Sequence, residues 1–354
     1  MNNIRKIRGA LPGHGIGAMM VTDPASRLYA TGFESSDGVL LVTAGGAWFY
    51  TDSRYIEAAT ASISGARVRA VTKEKPYSAQ IKALLEKRQI TSIGFEDDKV
   101  TYSGYLEWAE KLGVELVPAQ GLIDGLRAVK THGDLDMMIK AQRLAEKSFE
   151  EVLPLISTDI TEKGLAAELI HRFLLNGADD KAFDPIIVSG AKSSMPHGVP
   201  GDVRIGKGFL TIDFGLRLNG WCSDTTRTLC IGEPDEEMTR VYDTVLESQE
   251  AGIKAARAGV SGFDVDAAAR AVIEKAGYGS YFGHGFGHSL GLEVHESLKA
   301  SPISEDILPA GAVISAEPGI YLPGRYGVRI EDVIYITENG CKNITNLTKK
   351  LIIQ

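Results

Sequence analysis

The segment FLTIDFGLRLNGWCSDTTRTLCIG, residues 209–232, constrains the fold of this chain more than any other stretch. Strand-like residues flank the Asn-Gly dipeptide at 219–220, which is the strongest short signal for a two-residue β-hairpin turn. A turn of that length sets the register, so Asp213 opposes Thr226 across the hairpin. Because side chains alternate along a strand, Asp213 and Asp224 then lie on one face as diagonal neighbours. Acids placed this way either face solvent at the end of a sheet or share a positive group between them.

A second pair of predicted strands repeats this arrangement. Glu317 lies in VISAEPG and Glu331 lies in VRIED, where a bare carboxylate among aliphatic residues is costly. A loop of odd length around positions 323–324 would place both glutamates on one face. Each glutamate alone also fits the edge of a sheet. Four acids on two hairpins, with a histidine-rich segment between them in sequence, instead favour a site for two divalent ions such as Mn or Co.

The histidine-rich segment is FGHGFGHSLGLEVHE, residues 282–296, with histidines at 284, 288 and 295. Spacings of four and seven suggest one face of a helix. The four glycines argue against a helix, because each costs about 1 kcal/mol in a helix interior. We therefore expect an extended backbone that runs close to the site, where larger side chains would block it.

The chain has 354 residues, which favours two domains. Residues 1–127 alternate between strand and helix patterns and predict an α/β unit. Residues 128–354 run from helices through strands and helices to strands again, which predicts an α+β unit. The charged segment RAVKTHGDLD, residues 127–136, marks the expected boundary.

Net charge and cysteine content narrow the classes of function. The net charge of -8 argues against nucleic acid or an anionic membrane as the main partner. The three cysteines have no CxxC spacing, which fits a reducing compartment. No signal peptide and no apolar run of membrane-spanning length is evident. The sequence therefore predicts a cytoplasmic protein.

Five segments together resemble metallopeptidase family M24, and within it the aminopeptidase P and prolidase branch. They are PIIVSGAKSSMPHGVP, IDFGLRLNGWCSDTTRT, FGHGFGHSLGLEVHE, ISAEPGIY and GVRIEDV. Nearer the N-terminus, DGVLLVT and FYTDSRY resemble the N-terminal domain of creatinase and prolidase. The resemblance implies an α+β pita-bread (creatinase/aminopeptidase) catalytic domain over residues 128–354. It also implies an N-terminal α/β creatinase-like domain over residues 1–127.

The resemblance implies a ligand set for two divalent metal ions per chain: Asp213, Asp224, His288, Glu317 and Glu331. Asp224 and Glu331 would bridge the two ions. Asp213 would complete one ion, and His288 and Glu317 would complete the other. Mn or Co are the expected metals, with Zn and Fe as alternatives. A hydroxide that bridges the ions would be the nucleophile, and Glu317 would take the proton of the attacking water.

Five further residues match positions near the metals in this branch. His197 and His295 would stabilise the tetrahedral intermediate or move a proton to the leaving nitrogen. His284 would bind the substrate around proline. Arg329 would orient Glu331 or a substrate carbonyl, and Tyr321 would line the pocket. For Arg329 a position facing solvent, and for Tyr321 simple packing within a strand, are the alternatives.

The implied activity is hydrolysis of the Xaa-Pro bond, either in dipeptides, as by a prolidase, or at the N-terminus of longer peptides, as by an aminopeptidase P. The sequence leaves these two open. A creatinase-like amidinohydrolase or a non-catalytic member of the fold would lack metal ligands that are present here. A methionine aminopeptidase would not usually carry the N-terminal domain. The family resemblance also suggests a homodimer.

Overall fold

The structure of the chain is a computed structural model that describes residues 3–354. The chain separates into two compact units between Arg127 and Ala128. Each unit has its own apolar clusters, and each is described in turn below. None of the helices in the described chain is both long and apolar enough to cross a membrane.

The N-terminal unit is a six-stranded mixed sheet with helices on both faces, in the strand order β4-β3-β2-β1-β5-β6. Its strands are β1 (Ala18–Val21), β2 (Val39–Thr43), β3 (Gly46–Thr51), β4 (Arg67–Ala70), β5 (Ser92–Phe95) and β6 (Glu115–Pro118). Its helices are α1 (Ile4–Ala10), α2 (Pro24–Thr31), α3 (Ile56–Ser62), α4 (Tyr77–Arg88), α5 (Tyr102–Leu112) and α6 (Gln120–Ala128).

The central strands of this sheet are apolar on both faces. Met19 and Val21 belong to one apolar cluster, whereas Ala18 and Met20 belong to another. Successive side chains on a strand point to opposite faces, so each cluster fills the space under a different layer of helices. The run VLLVT in β2 is fully buried for the same reason.

The C-terminal unit has four long helices and thirteen short strands. The helices are α7 (His132–Val152), α8 (Glu162–Leu175), α9 (Glu236–Ala255) and α10 (Gly262–Lys275). The first strands are β7 (Asp180–Lys181), β8 (Ile186–Ser189), β9 (Gly208–Phe214), β10 (Leu216–Leu218), β11 (Trp221–Cys222) and β12 (Thr225–Ile231). The later ones are β13 (Gly287–His288), β14 (Lys299–Ala300), β15 (Val313–Ala316), β16 (Gly319–Leu322), β17 (Tyr326–Arg329), β18 (Asp332–Thr337) and β19 (Gly340–Asn343).

Helices α7 and α8 pack on the strands of the first hairpin. Their apolar faces form one cluster with β9 and β12, in which the rings of Phe149 and Phe214 stack 5.0 Å apart. Helices α9 and α10 pack against the later strands in two further clusters. Helix α7 begins at His132 because Thr131 and Asp134 form a reciprocal capping box.

The sequence pattern predicts continuous strands over 312–322 and 326–337, but the structure interrupts both. One break falls at Glu317 and the other at Glu331. The Glu317 amide donates to the Phe286 carbonyl, and the Glu331 amide donates to the Thr226 carbonyl. These two residues therefore pair with neighbouring segments instead of continuing their own ladder.

Arg227 ties the first hairpin to the later strands from a buried position. Its Nη2 donates to Asp332 Oδ1 at 2.7 Å, and both side chains are buried. Its donors also reach four backbone carbonyls, those of Thr226, Glu331, Leu347 and Thr348. Because a buried guanidinium is costly unless its donors are satisfied, this network makes Arg227 a structural residue.

We expect Arg227→Met to lower the free energy of unfolding by about 3 kcal/mol or more, because it leaves buried carbonyls and Asp332 without their donor. The measurement is chemical unfolding followed by circular dichroism. Arg240→Met, on the exposed face of α9, is the matched control and is expected to change stability by about 0.5 kcal/mol at most. Equal losses in the two variants would contradict the structural role.

Candidate metal centre

The first hairpin has the register that its Asn-Gly turn predicts. Asn219 and Gly220 both have positive φ, 49° and 81°, as a type I′ turn requires. Asp213 lies opposite Thr226, and Asp224 directly precedes β12. Both aspartates are buried. The alternative in which these acids face solvent is therefore wrong.

The second pair of acids follows the predicted odd-length loop. Leu322 pairs with Tyr326 around a three-residue turn, and Ala316 pairs with Asp332 in the same register. Glu317 and Glu331 hence stand opposite each other at the two strand interruptions. Glu331 is 1 % exposed, so it too is an interior carboxylate.

The glycine-rich segment is not helical, and only its Gly287–His288 portion forms a short strand, β13. A Cβ atom at position 287 would collide with the Ser315 carbonyl oxygen, so glycine allows the backbone to approach β15. The His288 amide donates to Ser315 Oγ at 3.0 Å, and Ser315 Oγ donates to Glu317 Oε1 at 3.1 Å. One serine hydroxyl thus connects His288 with Glu317.

The structure brings the five expected metal ligands together. Donor atoms of Asp224, His288 and Glu331 all lie within 4.8 Å of one another. His288 Nε2 lies 3.2 Å from Glu317 Oε1 and 3.6 Å from Asp224 Oδ2. These distances place carboxylate oxygens and one imidazole nitrogen around a common centre.

The charge balance of the cluster is strongly negative. Burial and mutual repulsion raise the pKa values of Asp224 and Glu331 well above their usual range. Burial also raises the pKa of Asp213, even though the Arg329 guanidinium opposes the shift. Four clustered carboxylates that face one arginine and one histidine need further positive charge for all of them to be ionised together.

The protonation of His288 responds to the same charges. Burial opposes its charged form, but the hydrogen bond to Glu317 and the charge of Asp224 outweigh burial and raise its pKa. The same contact lowers the pKa of Glu317 against the effect of burial. Glu317 is thereby kept as a carboxylate.

The residues present fit divalent cations. Asp213 Oδ1 is buried and has no hydrogen-bond partner among residues 3–354, although Asp213 Oδ2 accepts from Arg329 at 2.6 Å. An orphaned carboxylate oxygen beside three other acids is an oxygen-rich donor set of the kind that Mn, Co and similar ions take. This fit rests on the chemistry of the donor set and its burial.

Arg329 is buried and is held almost entirely by the protein. It donates to Asp213, to Tyr321 Oη at 3.0 Å, to the Pro196 carbonyl at 3.2 Å and to Thr226 Oγ1 at 3.1 Å. The Thr226 hydroxyl in turn donates to Glu331 Oε2 at 2.7 Å. The family resemblance implied that Arg329 orients Glu331 or a substrate carbonyl. In the structure it orients Asp213 and reaches Glu331 only through Thr226.

His284 has both ring nitrogens occupied by protein groups. Its Nδ1 lies 2.8 Å from the Gly285 carbonyl, which can only accept, so Nδ1 carries the proton. Burial lowers the pKa of His284, which leaves Nε2 to accept from the Tyr321 hydroxyl at 2.8 Å. Tyr321 stays behind His284 and Arg329. It does not line the cavity, which corrects the expectation for that residue.

One cavity of about 830 Å³ is lined by nine of the ten site residues that the sequence predicts. They are His197, Asp213, Asp224, His284, His288, His295, Glu317, Arg329 and Glu331. The ring of His295 lies 4.3 Å from that of His288, and desolvation together with the His288 charge lowers the pKa of His295. Apolar residues, among them Ile170, Phe183 and Val199, form another part of the wall.

Sequence reasoning missed several polar residues that orient the acids. Ser315 bonds to Glu317, and Thr226 bonds to Glu331. Gln142 on α7 bonds to Thr225 and accepts from the Asp224 amide at 3.4 Å. Only Thr226 carried a signal, because the hairpin register places it opposite Asp213. The other two lie far from their partners in sequence or carry no distinctive motif.

Comparison with known proteins agrees with this geometry. Residues 136–338 match the model of metallopeptidase family M24, and residues 3–129 match the creatinase/prolidase N-terminal domain. The uncharacterized peptidase YqhT of Bacillus subtilis is 38% identical over 352 residues, 99% of each chain. A Xaa-Pro dipeptidase of Pyrococcus horikoshii is 34% identical and covers 99% of this chain and 98% of its own.

Solved structures extend the likeness to the whole fold. A Xaa-Pro dipeptidase from Bacillus anthracis superposes with a TM-score of 0.96 at 37% identity, covering 99% of both chains. An X-Pro aminopeptidase from Thermotoga maritima superposes with a TM-score of 0.91 at 34% identity, covering 97% of this chain and 99% of its own. The expected fold, a creatinase-like N-terminal domain followed by an α+β pita-bread catalytic domain, is confirmed. The chain belongs to metallopeptidase family M24.

Proposed function

We propose that this chain is a metal-dependent peptidase that hydrolyses the bond between a residue and a following proline. The observation that carries the proposal is the cluster of three buried acids, the partly exposed Glu317 and His288 on the wall of a cavity that also holds His284, His197 and His295. Solved structures with the same fold include a Xaa-Pro dipeptidase and an X-Pro aminopeptidase, which supports the same substrate class.

The proposed ligands of two divalent ions, Mn or Co, are Asp213, Asp224, His288, Glu317 and Glu331. When bound, such ions lower the pKa of a water molecule and polarise the carbonyl under attack. Asp224, His288 and Glu331 would hold the ions most directly, since their donor atoms lie within 4.8 Å of one another. Ser315, Thr226 and Arg329 would hold the carboxylates in place through the hydrogen bonds described above.

Glu317 is proposed to accept the proton of the attacking water. Its Oε1 lies 3.2 Å from His288 Nε2 and accepts from Ser315 Oγ at 3.1 Å, so the carboxylate is held at the site where it would act as a base. His295 and His197 reach the cavity beside it and would donate to the developing oxyanion or to the leaving proline nitrogen. The lowered pKa of His295 leaves a neutral imidazole that can both donate and accept.

His284 is proposed to select proline by contact with its ring. Both nitrogens of His284 already bond to protein groups, so its imidazole offers the cavity an apolar edge or face rather than a free donor. Proline has no N–H and presents a saturated ring, which such a surface suits. This assigns His284 to the proline side of the substrate, as the family resemblance suggested.

The finer choice that we propose is a dipeptidase. The donors of Arg329 are almost fully engaged, but Lys163 and Lys299 also line the cavity. Lys299 pairs with His288 between β13 and β14, which places the two residues side by side at the wall of the cavity. A lysine at that position can bind the terminal carboxylate, which in an Xaa-Pro dipeptide belongs to the proline itself.

The compartment and assembly belong to the same proposal. The three cysteines are unpaired, which supports a reducing, cytoplasmic setting. Family resemblance supports a homodimer.

We expect Glu317→Ala to abolish hydrolysis of Ala-Pro, because it removes both a ligand and the proton acceptor. Metal analysis of the wild-type chain is expected to find up to two divalent ions, and chelation is expected to remove activity. Glu338→Ala, an exposed acid, is the matched control and keeps activity. Full activity in Glu317→Ala would overturn the mechanism.

We expect the Mn-loaded or Co-loaded chain to cleave Ala-Pro or Ala-Pro-Ala, and not Ala-Ala or Met-Ala. In His284→Ala, kcat/KM for the prolyl substrate is expected to fall by about tenfold, the typical value of one lost apolar contact. His171→Ala on the exposed face of α8 is the matched control. Equal cleavage of Ala-Ala by the wild type would refute prolyl specificity.

We expect Lys299→Met to raise KM for Ala-Pro by about tenfold or more, because it removes a charged hydrogen-bond donor. Any slower cleavage of Ala-Pro-Ala by the proposed dipeptidase is expected to change little in this variant, since the carboxylate of the tripeptide lies one residue further away. The exposed Lys207→Met is the control. If Lys299→Met affects both substrates equally, or if only the tripeptide is cleaved, the aminopeptidase activity is favoured instead.

A further inference from the structure

We propose that the Asp266–Arg270 ion pair on α10 is the positioning device for the histidine-bearing segment 282–288. It fixes the backbone from which His284 and His288 reach into the cavity. What those two histidines do rests on the proposed function, whereas the fixing of their backbone rests only on the contacts described next.

Arg270 holds the segment by two carbonyl oxygens. Its Nη1 donates to the Phe282 carbonyl at 2.8 Å, and its Nη2 donates to the His284 carbonyl at 2.7 Å. Its guanidinium also lies 4.1 Å from the centre of the Phe282 ring. A planar fork with several fixed donors can hold two carbonyls at once, which a lysine ammonium cannot reproduce in the same geometry.

Asp266 completes the grip on the other side. Its Oδ1 accepts from the Phe286 amide at 2.9 Å, and its two oxygens accept from Arg270 at 2.8 and 3.0 Å. The Asp266 side chain is 1% exposed. Since the two residues are one helical turn apart on α10, a single rigid surface bonds to positions 282, 284 and 286 of the segment.

The segment needs this support because no regular element spans residues 282–286. It lies between the short 3₁₀ turn Gly279–Tyr281 and the two-residue strand β13. Glycines at 283, 285 and 287 add backbone freedom that must be lost for the histidines to be held. The ion pair supplies hydrogen bonds that a longer strand would otherwise supply.

The ion pair holds the backbone near both His284, the proposed substrate contact, and His288, the proposed metal ligand. The His284 carbonyl is itself bonded to Arg270, and its imidazole meets the Tyr321 hydroxyl. The Phe286 carbonyl accepts from the Glu317 amide at 2.8 Å, and His288 follows two residues later. A shift of Phe286 would therefore displace a proposed imidazole ligand and a proposed carboxylate ligand together. Neither Asp266 nor Arg270 lines the cavity, so both act through the segment.

The test compares Arg270→Lys with Arg325→Lys. Arg325 makes a two-pronged ion pair with Glu237 and lies 5.3 Å from the Tyr326 ring, but it is exposed and does not line the cavity. Arg325 therefore has the same kinds of contact as Arg270, an ion pair and an aromatic ring, but it does not bond to segment 282–288. Three quantities are measured: hydrogen exchange of the 282–288 amides in metal-free protein, Mn²⁺ affinity by competition with a chelator, and kcat and KM for Ala-Pro.

For Arg270→Lys we expect faster exchange confined to the 282–288 region and Mn²⁺ affinity lowered about tenfold to a hundredfold, the usual range for residues that orient ligands. KM for Ala-Pro is expected to rise as well. Arg325→Lys is expected to match the wild type in all three. Asp266→Glu, which keeps the charge but lengthens the side chain, is expected to repeat the exchange and affinity changes if Arg270→Lys folds poorly.

Exchange and Mn²⁺ affinity equal to those of Arg325→Lys in both variants would overturn the positioning role. Faster exchange throughout the catalytic unit, rather than at 282–288, would overturn it too, since that pattern reports a general loss of stability. If the wild type fails to cleave Ala-Pro, the proposed function fails. The exchange and Mn²⁺ measurements then still decide whether the pair positions the segment.

Discussion

The clustering of four carboxylates around one centre, three of them buried and Glu317 partly exposed, is the constraint on which the rest of this structure depends. Asp213, Asp224, Glu317 and Glu331 come from two strand pairs, and desolvation works against the charge of each of them. A protein can keep such a cluster only if hydrogen bonds, fixed cations and bound metal ions compensate the charge together. The surrounding residues supply the hydrogen bonds and the fixed cation, and the carboxylate oxygens are placed where metal ions could bind.

The hairpins meet this constraint by giving up part of their own pairing. The strands break at Glu317 and Glu331, whose amides bond to Phe286 and Thr226 in neighbouring segments. Glu317 is thereby attached to the segment that carries His288, and Glu331 is attached to the strand that follows Asp224. The buried Arg227 reinforces the contact between Thr226 and Glu331, because it donates to the carbonyls of both residues. The hydrogen bonds that connect these segments are therefore also the ones that position the acids.

Polar groups around the acids divide into those that hold the site and those that remain available to a substrate. Arg329, Tyr321 and Ser315 bond inward, and His284 uses both of its nitrogens on the protein. His197, His295 and Lys299 reach the cavity itself. This division separates the side chains that brace the acids from those that a molecule in the cavity can contact.

The sequence by itself determined much of this protein, because the decisive features are local. The Asn-Gly turn specifies the register that places Asp213 opposite Thr226, and the odd-length loop does the same for the two glutamates. Glycines exclude a helix at 282–288, and family motifs identify nine of the residues that share the cavity. Tertiary structure alone decided that Arg329 holds Asp213, that Tyr321 bonds to His284, and that Asp266 and Arg270 bond to the histidine segment.

Turn chemistry and strand alternation act over a few residues and can be read from the order of amino acids. Contacts between side chains and carbonyls of separate elements depend on how those elements pack, and no local pattern encodes them.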